Sequence, residues 1–154
     1  MRAPSETPLG LLLSQTAKRL SRAFDDALAA AGGSLPTWLI LMSLMREGKL
    51  SHGELAQRVG IQGPTLTHHL DAMAHQGLVL RERLPDNRRV QVATLTPAGV
   101  AMFHQLRNAA AAHDRRIRNA LGDAELGQMR TFLTRLADDF AEPPSPGDLQ
   151  EAEQ

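Results

Sequence analysis

Two short amphipathic segments meet at Val59-Gly-Ile-Gln-Gly-Pro64, and directly beyond the second of them the apolar period drops from that of a helix to that of a strand. This order restricts the fold more than any other feature of the chain. Ser51-His-Gly-Glu54 has capping-box spacing: the Ser51 hydroxyl can accept from the Glu54 amide while the Glu54 carboxylate reaches back. A short helix is therefore expected to run to about Val59 and stop at Gly60. Gln62-Gly-Pro-Thr65 opens the next helix, with Leu66, Leu70 and Met73 on one side and Thr65, His68, Ala72 and His75 turned away; Gly77 ends it. Leu78–Arg83 and Arg89–Leu95 then read as strands joined by Leu84-Pro-Asp-Asn-Arg88, which is turn chemistry carrying charge.

Around this centre lie longer helices. Leu9, Leu13, Ala17, Leu20, Phe24 and Leu28 recur at three or four residues, which predicts a long first helix over Leu9–Ala30. Ser34 and Pro36 cap and start a second, which carries Trp38, Leu41, Met42 and Met45. Thr96-Pro-Ala-Gly99 begins the longest, running to about Leu121, and Leu126, Met129, Leu133, Leu136 and Phe140 mark a last amphipathic one. Glu142-Pro-Pro-Ser-Pro-Gly147 cannot support a packed element, so residues 142–154 are expected to be a disordered tail. The expected organisation is one domain: an N-terminal helix over 1–34, the short helices and hairpin over 35–96, and C-terminal helices over 97–141.

Composition narrows the function. The chain of 154 residues has no cysteine, which excludes disulfides, thiolate nucleophiles and thiol redox switching. No apolar run is long enough to span a bilayer, and the N-terminus lacks signal-peptide character, so the cytoplasm is the expected location, with no membrane partner. Lys and Arg total 17 against 17 Asp and Glu, so indiscriminate coating of nucleic acid is disfavoured while local basic patches are not. Lys18 and Lys49 are the only lysines; the arginine bias suits bidentate contacts and also fits a GC-rich genome.

The two short helices form a helix-turn-helix, and a hairpin with Arg88 and Arg89 at its turn converts it into a winged helix. The major groove of duplex DNA, about 12 Å wide, admits one helix whose N-terminal residues face base edges and whose positive dipole end lies near phosphate. The hairpin arginines can reach the neighbouring minor groove or backbone. The expected fold class is accordingly mainly α with a small β-hairpin wing, flanked by long N- and C-terminal helices.

The sequence resembles the MarR-type winged helix-turn-helix regulators. The resemblance is carried by Ser51-His-Gly-Glu-Leu-Ala-Gln-Arg-Val-Gly-Ile61, by Gly63-Pro-Thr-Leu-Thr-His-His-Leu-Asp-Ala-Met-Ala-His-Gln-Gly-Leu-Val79, and by Asp86-Asn-Arg-Arg89 with Leu95-Thr-Pro-Ala-Gly99. It implies a bacterial, ligand-responsive repressor: a homodimer in which first and last helices interlock, each subunit placing recognition helix 62–76 and wing 84–90 on half of an inverted-repeat operator. The DNA-facing set is then Ser51, Gln62, Gly63, Pro64, Thr65, Thr67, His68, His69, Arg83, Arg88 and Arg89. The dimer set is Leu9, Leu13, Leu20, Leu126, Met129, Leu133, Leu136 and Phe140. Trp38, Met42 and His104 would line a cleft for a small aromatic or anionic effector.

Two departures stand out. Where such recognition helices commonly read Ser or Thr, an apolar residue, Ser or Thr, then Arg, this chain has His68 in the last place. A bidentate guanine contact is lost there, and an imidazole offers one bond per ring nitrogen with a pH-dependent charge. In the wing, Asp-x-Arg fits Asp86-Asn87-Arg88, yet the distance back from Leu95-Thr96 makes Arg89 the equivalent arginine. Arg89 is the expected inserted side chain and Arg88 the phosphate contact.

Other chemistries find little footing. Adjacent residues on a helix diverge by about 100°, so His68 and His69 cannot chelate a metal well, and no metal or other cofactor is expected. No Gly-x-Ser-x-Gly elbow, Walker loop or paired acidic motif appears, so an enzyme is not expected. The alternative is a winged-helix protein-interaction module that binds no specific duplex, its wing arginines meeting acidic side chains. For Trp38 with its neighbouring methionines, ordinary core packing competes with the cleft.

Overall fold

The computed structural model describes residues 6–141; the expected tail over 142–154 lies outside them. Along the chain run α1 (Leu9–Ala30), α2 (Leu35–Glu47), β1 (Lys49–Ser51), α3 (His52–Val59), α4 (Gly63–His75), β2 (Val79–Arg83), β3 (Gln91–Leu95), α5 (Pro97–Ala120) and α6 (Asp123–Asp139). The fold is mainly helical with one small sheet, as the sequence predicts. Two compact units divide the chain between His113 and Asp114.

The first unit holds the core. Leu28 of α1, Ile40, Leu41 and Leu44 of α2, Leu55 of α3, Leu66 of α4 and Leu106 of α5 are buried together. At about 1.5 to 3 kcal/mol for each buried aliphatic side chain, this cluster is what holds the short helices in place; neither is long enough to be stable alone. Leu66, Leu70 and Met73 are buried and Thr65, His68, Ala72 and His75 exposed, which is the division of α4 that its apolar spacing predicts.

Local chemistry sets the ends of these elements. Ser34 Oγ accepts from the Thr37 amide, and Pro36 sits in the first turn of α2. Gly60 takes the left-handed conformation, φ +69°, that closes α3 and turns the chain toward α4. Thr96 Oγ1 accepts from the Gly99 amide at the start of α5 and donates to the Gly77 carbonyl at 2.6 Å, so one hydroxyl ties α5 to the turn behind α4. Gly99 is required here by close approach, because a Cβ would collide with the Leu78 carbonyl oxygen.

The hairpin is not alone. β1 pairs antiparallel with β3, Leu50 opposite Ala93, giving a three-stranded sheet in the order β1-β3-β2. Lys49-Leu-Ser51 is too short for its own apolar period to mark it as a strand; only the free edge of β3 makes it one. β2 and β3 pair from Val79 opposite Leu95 to Arg83 opposite Gln91, leaving 84–90 as the turn, so β3 starts two residues later than the sequence predicts.

In the second unit, α6 buries none of its residues, and Phe132, Leu133, Leu136 and Phe140 are exposed. Among the described residues, no single helix is long and apolar enough to cross a membrane.

Candidate nucleic-acid interface

The N-terminal turn of α4 faces solvent. Gln62 stands at the N-cap position in extended conformation without a side-chain capping bond, and Pro64 falls within the first turn. The Leu66 amide bonds the Gln62 carbonyl at 2.9 Å, so the helix ladder begins there. The amides before it lie at the positive end of the helix dipole, an arrangement that attracts anions such as phosphate. Gln62, Pro64, Thr65 and His68 are exposed, whereas Gly63, Thr67 and His69 are half-buried.

Not every expected contact residue is equally free. Ser51 Oγ donates to Glu54 Oε2 at 2.7 Å and accepts from the Glu54 amide at 3.3 Å, closing the capping box. Its proton is therefore not offered to a phosphate. Thr67 Oγ1 donates to the Gly63 carbonyl at 3.1 Å and lies 2.9 Å from Nε2 of His52 on α3. His68 and His69 have ring centroids 6.0 Å apart, and no group of three metal-ligating side chains occurs among the described residues.

The wing is built from two consecutive turns. The Asn87 amide bonds the Leu84 carbonyl at 3.2 Å, and the Val90 amide bonds the Asn87 carbonyl at 2.9 Å. Arg88 and Arg89 are the central residues of the second turn, at the tip, and Asn87 Oδ1 accepts from the Arg89 amide at 3.2 Å. Arg83, Arg88 and Arg89 are exposed and carry no ion pair among the described residues. Net neutrality thus conceals three guanidinium groups without an ion pair among the described residues, on a hairpin that also carries Glu82 and Asp86.

A residue that the sequence reading passed over joins the two parts. Arg81, on β2, pairs with Asp71 on α4 through one terminal nitrogen and donates to Gln91 Oε1 on β3 through the other, at 2.6 Å. Its side chain is only 19% exposed, so water competes weakly for these bonds. The one sequence signal for it was the inward register of Arg81 between the outward Leu80 and Glu82, which a strand alternating in burial makes visible only after its sheet partner is known.

Comparison with known proteins follows this geometry. The sequence model of the MarR family matches residues 34–90, the stretch from the cap of α2 to the end of the wing turn. The HTH-type transcriptional repressor YetL of Bacillus subtilis is 31% identical over 99 residues, covering 63% of this chain and 59% of YetL. The transcriptional repressor CouR, solved on a 23-mer DNA duplex, superposes with a TM-score of 0.76 at 26% identity, over 84% of this chain and 92% of CouR. The winged-helix stretch over residues 34–90 is thus of the MarR type. BpsR of Bordetella bronchiseptica, whose DNA binding is regulated by 6-hydroxynicotinic acid, shares the fold with a TM-score of 0.72 at 20% identity, over 84% of this chain and 98% of BpsR.

YetL and CouR are transcriptional repressors, and CouR, with which this chain shares its fold, is solved on DNA. Of the residues expected around an effector, Trp38 is half-buried and stacked on Phe103 with ring centroids 5.5 Å apart. His104 meets the same Phe103 ring at 5.3 Å but is itself exposed, as is Met42 one turn along α2. The structure thus gathers Trp38 and His104 on one aromatic ring and leaves Met42 open to solvent. Of the expected dimer residues, Leu9 and Leu20 on α1 and Met129, Leu133, Leu136 and Phe140 on α6 are exposed, while Leu13 and Leu126 are half-buried.

Proposed function

We propose that this chain works as a MarR-type homodimer on an inverted-repeat operator in double-stranded DNA, each subunit laying α4 in a major groove and the wing beside it. The observation that carries the reading is the wing tip: Arg88 and Arg89 exposed and without an ion pair among the described residues, on a hairpin that Arg81 ties to α4. Guanidinium groups held in this way displace counterions from phosphates without first breaking an internal pair. Gln62, Thr65 and His68 are the side chains left to read base edges. Arg89 enters the minor groove and Arg88 lies on the backbone.

Dimer formation is supported by apolar side chains that each unit leaves exposed by itself, on α1 and on α6. CouR and BpsR support a repressor whose grip on DNA a small aromatic or anionic molecule releases, and Phe103 between Trp38 and His104 is the place proposed for it. A cytoplasmic location and the lack of enzymatic activity go with this role.

Selection of bound sequences from a random duplex library, repeated at several salt concentrations, tests the proposal. The expected result is an inverted repeat with half-sites about one helical turn apart and affinity falling steeply with salt. Absence of any salt-sensitive duplex binding would instead favour a protein-interaction module.

A further inference from the structure

We infer that His52, half-buried and not among the residues expected to face DNA, is a specificity-determining residue that acts by positioning Thr67. The inference deepens the operator-binding reading and rests on it. It starts from a proton count. A threonine hydroxyl has one proton and two acceptor lone pairs. Thr67 spends the proton on the Gly63 carbonyl, 3.1 Å away, because a carbonyl can only accept. The contact of 2.9 Å between Thr67 Oγ1 and His52 Nε2 must then be donated by the imidazole. His52 accordingly carries a proton on Nε2.

The same ring faces the first residue of α4: a Cβ added to Gly63 would come to 3.6 Å from His52 Cε1, an ordinary contact distance. His52 therefore bonds Thr67 and stands beside Gly63 in the first turn of the recognition helix, from a neighbouring helix whose start the Ser51–Glu54 box fixes. Thr67 is left with one acceptor lone pair and no proton. Phosphate oxygens, guanine O6 and N7, adenine N7 and thymine O4 all need a donor, so a Thr67 held in this way makes none of those contacts. Base reading in the first turns falls to Gln62, Thr65 and His68. Without His52, the Gly63 carbonyl alone holds the Thr67 rotamer, and exchanging that one bond for an outward one would change what the helix reads.

The test uses the full chain and three variants: His52→Ala, His52→Gln, whose amide can still donate, and Thr67→Val, which keeps the shape without the hydroxyl. In the free protein, nitrogen NMR of the His52 ring is expected to show the Nε2-protonated tautomer in the wild type and loss of that preference in Thr67→Val. In library selection, His52→Ala is expected to change base preference at one position of each half-site by roughly five- to ten-fold with the salt slope unchanged. His52→Gln should restore the wild-type preference, and adding His52→Ala to Thr67→Val should change nothing further. An Nδ1-protonated wild type, additive effects in the double variant, or a Gln variant that behaves like Ala would each overturn the inference. A wild type that binds no duplex would overturn operator binding instead, and the ring-nitrogen result, read without DNA, still decides whether His52 holds Thr67.

Discussion

Arg81 on β2 holds Asp71 on α4 with one terminal nitrogen and Gln91 on β3 with the other, so a single guanidinium bridges recognition helix and wing. Asp71 is largely exposed, so the pair itself contributes little to folding, about 1 kcal/mol or less. Its effect on binding should be larger, because a wing that swings free must be ordered again on the duplex. Arg81→Met is expected to lower thermal stability slightly and operator affinity by roughly ten-fold, and Arg81→Lys should rescue poorly since one ammonium cannot match the planar fork. Parallel unfolding and gel-shift titrations check this; equal free-energy losses in both would remove the orienting role.

Arg89, at the wing tip with no ion pair among the described residues, should behave differently. Arg89→Ala is expected to leave stability unchanged and weaken operator binding by about 1 to 3 kcal/mol. Arg88→Ala should weaken binding to all duplexes alike and reduce the salt slope by about one. Titrations of both variants at several salt concentrations distinguish the two arginines, and an unchanged midpoint for Arg89→Ala would sink its assignment to the minor groove.

Thr65 is exposed on the first turn of α4, and its side chain makes no hydrogen bond among those described. Thr65→Ala is therefore expected to relax sequence preference at its half-site position by about 1 kcal/mol while folding is untouched. Competition between the selected operator and single-base variants measures this.

Glu54 gives the fold a defined acid sensitivity. The Ser51 hydroxyl first, then the Ser51 amide, and last the Arg58 charge hold its carboxyl below the ordinary value of 4.5. A carboxyl lowered by folding stabilises the native state fully above its unfolded value, and the contribution is lost as pH falls through the folded one. The stability difference between wild type and Glu54→Gln should thus be constant above about pH 5 and shrink below the ordinary carboxyl range. NMR titration of the Glu54 carboxyl carbon with a midpoint at or above 4.5 would contradict it.

Leu133 and Leu136 lie on α6, which buries nothing within its own unit. If a second chain covers this face, Leu133→Asp combined with Leu136→Asp should convert the protein to monomers, at about 1.5 to 3 kcal/mol lost per buried leucine. Sedimentation equilibrium reads the outcome, and a double variant with wild-type mass would place the dimer contact elsewhere.

Much of this architecture was determined by the sequence itself. The helix spans, the Ser34 and Ser51 caps, the breaks at Gly60 and Gly77 and the buried stripe of Leu66, Leu70 and Met73 follow from interactions within a few residues, which apolar period and capping chemistry report directly. The basic turn of the hairpin was legible for the same reason, since turn residues and charge stand together in the chain. Only the tertiary structure decided which groups remain available. β1 exists because β3 offers it an edge, and Arg81 turns from a surface cation into a brace because Asp71 and Gln91 converge on it from other elements. Thr67, which looks like a base reader at its place on α4, gives its proton to the Gly63 carbonyl and meets the ring of His52, fifteen residues earlier in the chain. Such pairings depend on where distant segments meet, and no local pattern encodes that meeting. What a side chain can offer DNA is what remains after the fold has used its hydrogen bonds.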